Sequence, residues 1–206
     1  MNKIKVLIAD DHTIVRIGLT ALLDTQPDIE VIGEADNGDA AVKAAQRLLP
    51  DVVIMDLVMP IKDGVAATAE LHEKLPDAKV IILTSYISSD GIAHALKAGA
   101  FGAIVKTADD GALIAAIRKV ASGVQFISPQ IRKTLKDSPP IPELTKRQRE
   151  IIESMARGLS NVDIAKQFGI SPTVAREHIT TILNKLGAAT RTEAVAIALR
   201  KHLLKI

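Results

Sequence analysis

The chain has 206 residues, 48% hydrophobic and 24% charged, with a net charge of +2, a composition that excludes a wholly disordered or fibrous protein and suits two compact domains. It has no cysteine, which excludes disulfide scaffolds, thiolate zinc sites, iron–sulfur clusters and a cysteine nucleophile, and fits a reducing, cytoplasmic setting. Aromatic residues are only 2%, too few for a surface that stacks exposed bases, and no apolar run approaches the roughly 20 residues that span a bilayer.

In chain order, β-branched runs at residues 4–8, 31–32, 52–55, 80–83 and 103–105 alternate with amphipathic stretches at 14–23, 40–49, 65–75, 92–97 and 112–120. Five strands alternating with five helices predict an α/β domain, a doubly wound parallel sheet covered on both faces, over residues 1–122. Residues 123–142 read as a linker. Ser128-Pro129 and then Pro139-Pro140-Ile141-Pro142 break regular structure, and closely spaced prolines favour an extended spacer. Residues 143–206 read as four helices. Thr145 with Gln148 is a capping box for a helix that Gly158 ends, and a short helix runs from Ser160 to Phe168 before Gly169. Ser171-Pro172 opens a third helix ending at Gly187, and Thr190 with Glu193 opens a fourth through Leu204. Residues 1–142 carry 15 Lys+Arg against 18 Asp+Glu, and residues 143–206 carry 11 against 6. A mildly acidic first part and a basic second part point to different partners.

In a parallel sheet, ligands bind beyond the carboxyl ends of the strands. Those ends carry Asp10-Asp11, Asp56, Thr84-Ser85 and Lys106. Three carboxylates gathered at one rim repel one another, and a hard divalent cation with oxygen ligands, typically Mg²⁺, holds them together. One carboxylate can then attack a phosphoryl group, with the Thr84 hydroxyl and the Lys106 ammonium suited to its remaining oxygens. Singly, each residue has a plainer reading. Asp11 can cap the helix that starts near Thr13, and Lys106 can be a solvated charge.

Asp10-Asp11, Met55-Asp56, Met59-Pro60, Asp63-Gly64, Thr84-Ser85 and Lys106 together resemble the receiver domain of bacterial two-component response regulators, over about residues 3–122. The resemblance implies a flavodoxin-like fold, Asp56 as a phosphoacceptor served by a sensor histidine kinase, and Mg²⁺ held by Asp10, Asp11, Asp56 and the backbone carbonyl of Val58. It implies Thr84 and Lys106 as sensors of the phosphoryl group. Asp63-Gly64 reads as a turn in which glycine supplies an unusual backbone angle, with Pro60 shaping the same loop. One position departs from the pattern: Ala103 stands where such domains carry Tyr or Phe, and Tyr86 is a candidate for part of that role. Val58 and Tyr86 flank the phosphoryl position, so hindered water attack and slow hydrolysis are expected.

Along 171–186, Ala175, Ile179, Ile182, Leu183 and Leu186 follow one buried helical face, while Thr173, Arg176, Glu177, Thr180, Asn184 and Lys185 take the other side. A helix–turn–helix with such a face suits the major groove, and a merely solvated face is the plain alternative. Leu144-Thr145, Gly158-Leu159-Ser160-Asn161, Ile164-Ala165, Ile170-Ser171, Lys185-Leu186-Gly187 and Arg191-Thr192-Glu193-Ala194 resemble the LuxR-type DNA-binding domain, so the whole chain is similar to the NarL/FixJ class. That resemblance implies double-stranded DNA as partner and a homodimer when phosphorylated. Contacts are expected at Ser171, Thr173, Arg176, Glu177 and Thr180, with Lys185 on phosphate. Val174-Ala175-Arg176 replaces the usual Thr-Val-Lys. Glu177 either accepts from a cytosine amino group or is tolerated at the edge, and His178 reads as a packed residue.

The expectation is a transcriptional regulator switched by phosphorylation at Asp56, with a phosphorylation-independent DNA-binding regulator as the alternative. Enzymes on the same layout fit poorly. A dehalogenase-like phosphatase needs a second Asp where Val58 stands, and a dinucleotide-binding oxidoreductase needs a glycine-rich turn in place of Asp-Asp-His-Thr.

Overall fold

The computed structural model describes residues 3–85, 89–137, 144–200 and 203–204. Tyr86, the Pro139-Pro140-Ile141-Pro142 run and Glu143 lie outside the described residues. The chain divides into two compact units, residues 1–139 and 140–206.

The first unit is built on β1 (Ile4–Ala9), α1 (Thr13–Asp24), β2 (Ile29–Ala35), α2 (Gly38–Leu48), β3 (Val52–Met55), α3 (Gly64–Lys74), β4 (Lys79–Thr84), α4 (Ser89–Lys97), β5 (Gly102–Val105), α5 (Asp110–Ala121), β6 (Phe126–Ile127) and α6 (Pro129–Asp137). The strands form one parallel sheet in the order β2-β1-β3-β4-β5-β6. Strands β3 and β5 are buried along their whole length, which is why their sequences run apolar without alternation. Their side chains still divide by face. Leu7, Ala9, Val53, Met55, Ile82, Ala103 and Val105 join one core with α2, α3 and α4. Val6, Ile8, Val52, Ile54, Ile81, Leu83 and Ile104 join the opposite core with α1 and α5.

Two features depart from the sequence expectation. The sheet has six strands rather than five, and residues 126–137, read as linker, form β6 and α6. β6 pairs with the edge of β5, Gly102 opposite Phe126 and Ala103 opposite Ile127. Ile131 of α6 is fully buried in the same core as Ile92 and Ala95 of α4. Ser128-Pro129 is thus a helix start: the Ser128 hydroxyl accepts from the Ile131 amide at 3.5 Å, with proline in the first turn, where its missing N–H costs nothing.

The second unit is helical: α7 (Lys146–Ala156), α8 (Asn161–Phe168), α9 (Pro172–Leu186) and α10 (Arg191–Arg200). The Thr145–Gln148 capping box forms, and a second box joins Ser160 to Asp163. Gly169 closes α8 and Gly187 closes α9, both with left-handed φ. The last helix is described as far as Arg200 and does not extend to Leu204: Leu203 and Leu204 are non-helical and turn their apolar side chains to the unit's core.

Candidate functional site

Register brings the strand-end residues together. β1 and β3 pair with Ala9 opposite Met55, so the next residue on each strand, Asp10 and Asp56, emerges side by side. β2 and β3 lie on opposite sides of β1, so this is the point where the winding direction reverses, the usual ligand crevice of such sheets. On the neighbouring pair, Thr84 stands opposite Val105, and the Lys106 amide donates to the Thr84 carbonyl at 2.9 Å.

Lys106 reaches back across this rim. Its Nζ lies 2.5 Å from an Asp10 oxygen and 2.9 Å from an Asp56 oxygen, so one ammonium bridges two buried carboxylates. The other Asp56 oxygen accepts from the Leu57 amide at 2.7 Å. Burial pushes the Asp56 carboxyl above the usual carboxylate range, with Lys106 offsetting only part of the shift. Burial works against the Lys106 charge too, yet the two carboxylates together hold its ammonium above the ordinary lysine range. Lys106 is therefore no solvated surface charge.

Asp11 is exposed and does not cap α1. The N-cap position belongs to His12, which makes no side-chain cap bond. His12 is a member of the cluster that sequence reasoning missed. Its Nδ1 lies 2.7 Å from an Asp11 oxygen and 3.3 Å from an Asp10 oxygen. One ligand atom each from Asp10, Asp11, His12 and Asp56 lie within 4.8 Å of one another, and carboxylates so placed can hold a hard divalent cation. The Asp-Asp-His string was visible in the sequence, but a histidine past a strand end reads as loop. Arg16 of α1 fixes the rim from behind, donating to the Asp10 carbonyl at 2.8 Å and to Glu34 at 3.1 Å.

The loop after Asp56 differs from expectation in its backbone. Gly64 has no unusual angle; the positive φ falls on Ile61, at 68°, between Pro60 and Lys62, whose carbonyl and amide bond at 2.7 Å. Gly64 is required for close approach, because a Cβ there would lie 2.1 Å from the Asp56 carbonyl oxygen. Asp63 caps α3 by accepting from the Ala66 amide. Val58, two residues after Asp56, is 62% exposed. Ala103 is fully buried on the α4 side of β5.

In the second unit, α8, the Gly169 turn and α9 form a helix–turn–helix. Ala175, Ile179, Ile182 and Leu186 are buried and Leu183 is half-buried. Thr173, Arg176, Glu177, Thr180 and Asn184 are exposed, and His178 is half-buried. Ser171 is exposed but committed locally, its hydroxyl accepting from the Val174 amide at 3.2 Å. Lys185 donates to Gln148 Oε1 at 2.9 Å, the oxygen that also accepts from the Thr145 amide. The α7 capping box is thereby tied to the end of α9.

Comparison with known proteins agrees with this geometry. Residues 6–118 match the response regulator receiver domain, and residues 142–198 match the bacterial regulatory proteins of the luxR family. The chain is a response regulator of the NarL/LuxR class. The transcriptional regulatory protein LiaR of Bacillus subtilis (strain 168) is 40% identical over 209 residues, covering 98% of this chain and 99% of that one. The response regulator protein VraR of Staphylococcus aureus (strain Mu3 / ATCC 700698) is 39% identical, with the same coverage. Among solved structures, the response regulator ChrA of a heme-sensing two-component system covers 99% of this regulator at 33% identity and a TM-score of 0.60. An RcsB–DNA complex shares the fold at 24% identity and a TM-score of 0.69, over 96% of this chain and 98% of that one. The regulator thus joins a receiver to a LuxR-type DNA-binding domain, and among its described residues no helix is long and apolar enough to cross a membrane.

Proposed function

We propose that Asp56 accepts a phosphoryl group from a sensor histidine kinase and that this switches the regulator's binding to promoter DNA in the cytoplasm. The observation that carries the reading is the Lys106 bridge: a buried carboxylate is kept beside a second one by a single cation that a phosphoryl oxygen can recruit. In the transfer, an Asp56 oxygen forms the new bond to phosphorus while the donor's bond to phosphorus breaks and its leaving group takes up a proton. Asp10, Asp11, Asp56 and the Val58 carbonyl would hold Mg²⁺, which supplies neutralising charge to the phosphoryl oxygens. Lys106 then exchanges Asp56 for the new anion, and the Thr84 hydroxyl is the donor that reorganises the β4–α4 side. The output is a shift toward a homodimer whose two recognition helices read half-sites about one helical turn apart. Residues Ser171, Thr173, Arg176, Glu177, Thr180 and Lys185 form the proposed DNA face, and Lys185 must leave Gln148 to meet a phosphate.

Incubation with acetyl phosphate and Mg²⁺, then intact-mass spectrometry, sizing and footprinting, tests the reading. One phosphoryl group per chain is expected in wild type and none in Asp56→Asn, with dimer and footprint following the label. Equal labelling of Asp56→Asn overturns Asp56 as acceptor. A footprint indifferent to the label favours the second reading, phosphorylation-independent binding, to which Ala103 in place of the usual aromatic lends support.

A further inference from the structure

The recognition helix carries a carboxylate at the crest of its outward face. At 3.6 residues per turn, the buried residues Ala175, Ile179, Ile182 and Leu186 define one side of α9, and Glu177 and Asn184 fall within about 10° of the line opposite. Of the two, Glu177 is nearer the N-terminus of α9, the end from which recognition helices reach base edges. It is exposed.

Nothing on the helix explains that charge. Residues three and four positions away on either side are Thr173, Val174, Thr180 and Thr181, so no cation is spaced to pair with it along α9. Three other acidic side chains of the unit have structural partners, and Glu153 lies exposed on α7 rather than on the recognition helix. Glu150 pairs with Arg147, Asp163 caps α8 through Ser160, and Glu193 accepts from the Ala189 amide. A carboxylate with no partner among the described residues, on a face turned toward polyanionic DNA, is repelled unless it accepts a hydrogen bond there.

A carboxylate only accepts. In the major groove the donors are the cytosine N4 and adenine N6 amino groups; guanine offers two acceptors and thymine an acceptor and a methyl group. Adenine N6 lies beside the acceptor N7, which suits an amide that donates and accepts together and repels a carboxylate. We propose that Glu177 is a specificity-determining residue that accepts from the N4 amino group of a cytosine at one fixed position in each half-site. This rests on the reading that α9 enters the major groove.

Site selection from a random duplex pool tests it, using the full-length chain with and without acetyl phosphate, as wild type, Glu177→Gln and Glu177→Ala. Wild type is expected to select cytosine at one position per half-site, the Gln variant to move that position to adenine, and the Ala variant to lose the preference there while keeping the others. Replacing the selected cytosine by thymine should weaken wild type by about tenfold and the Ala variant by less than about twofold, the scale of one direct base contact. Identical selected sites for all three proteins overturn the assignment of Glu177 while leaving DNA binding intact. Failure of every protein to enrich any sequence, with or without phosphodonor, overturns the major-groove reading itself.

Discussion

Lys106, with only 13% of its side chain exposed, has two carboxylates to neutralise, so its removal leaves both buried charges without a cation. Lys106→Met is expected to cost on the order of 3 kcal/mol in metal-free buffer, the scale for breaking a buried pair from one side, measured by urea unfolding. Asp56→Asn should act in the opposite direction. Burial raises the Asp56 carboxyl, so the folded chain binds that proton more tightly than the unfolded chain. Stability from this group is therefore gained as pH falls through its folded value, and at neutral pH the ionised form works against folding. The Asn variant is expected to unfold at a higher temperature than wild type in metal-free buffer at neutral pH, with the difference shrinking on acidification; an unchanged or lower midpoint refutes the account. Glu70 has the reverse sign. Lys62 and then Lys74 hold its carboxyl below the usual range, so its small contribution is present at neutral pH and fades on acidification. The rule that ligands gather beyond strand ends made Asp10, Asp11, Asp56, Thr84 and Lys106 legible from sequence. His12 escaped it because a ring that folds back over the two preceding aspartates leaves no periodic trace. Gly64 was legible as necessary but for the wrong reason, since a close backbone approach has no signature distinct from a positive φ.

The same two letters, Ser-Pro, were read in opposite ways at two elements. Ser171-Pro172 stood before a long amphipathic pattern and was recognised as a helix start. Ser128-Pro129 stood near a proline-rich run, and the helix behind it spans only nine residues with one fully buried position, Ile131. A strand of two residues, β6, is likewise below what alternation can signal. These small elements nevertheless belong to the receiver's core. Ile131→Ala is expected to destabilise the first unit by about 2–5 kcal/mol, the cost of truncating a fully buried isoleucine, measured by chemical unfolding of the full chain. A loss under about 0.5 kcal/mol would show α6 to be a loosely laid linker. Ala103 faces the core that contains Ile131 and Ile127, so the side of β5 where an aromatic usually turns is here packed with small and aliphatic groups continuous with α6. Helices α1 to α5 and those of the second unit were legible because each repeats apolar residues at helical spacing, with side-chain caps marking the starts of α7, α8 and α9.

For the whole molecule, the charge difference between the two parts, −3 over residues 1–142 and +5 over residues 143–206, makes affinity for DNA depend on salt through the second unit. Each cation that meets a phosphate releases about one condensed counterion, and the slope of log K against log salt counts those contacts. On the proposed switch, phosphorylation changes how often the regulator occupies the dimer-competent state, not which residues touch DNA once it is bound. Wild type with and without acetyl phosphate should therefore give parallel lines, displaced toward tighter binding by the label. Receiver movement that uncovered additional basic side chains would instead steepen the phosphorylated line. Arg176→Ala calibrates the measurement: if Arg176 meets a phosphate, the slope falls by about one in both states, and if it reads a base edge, the slope holds while one position of the selected site relaxes. A phosphorylated line steeper than the unphosphorylated one by about one or more would replace the population shift with a receiver that covers part of the DNA face until Asp56 is charged.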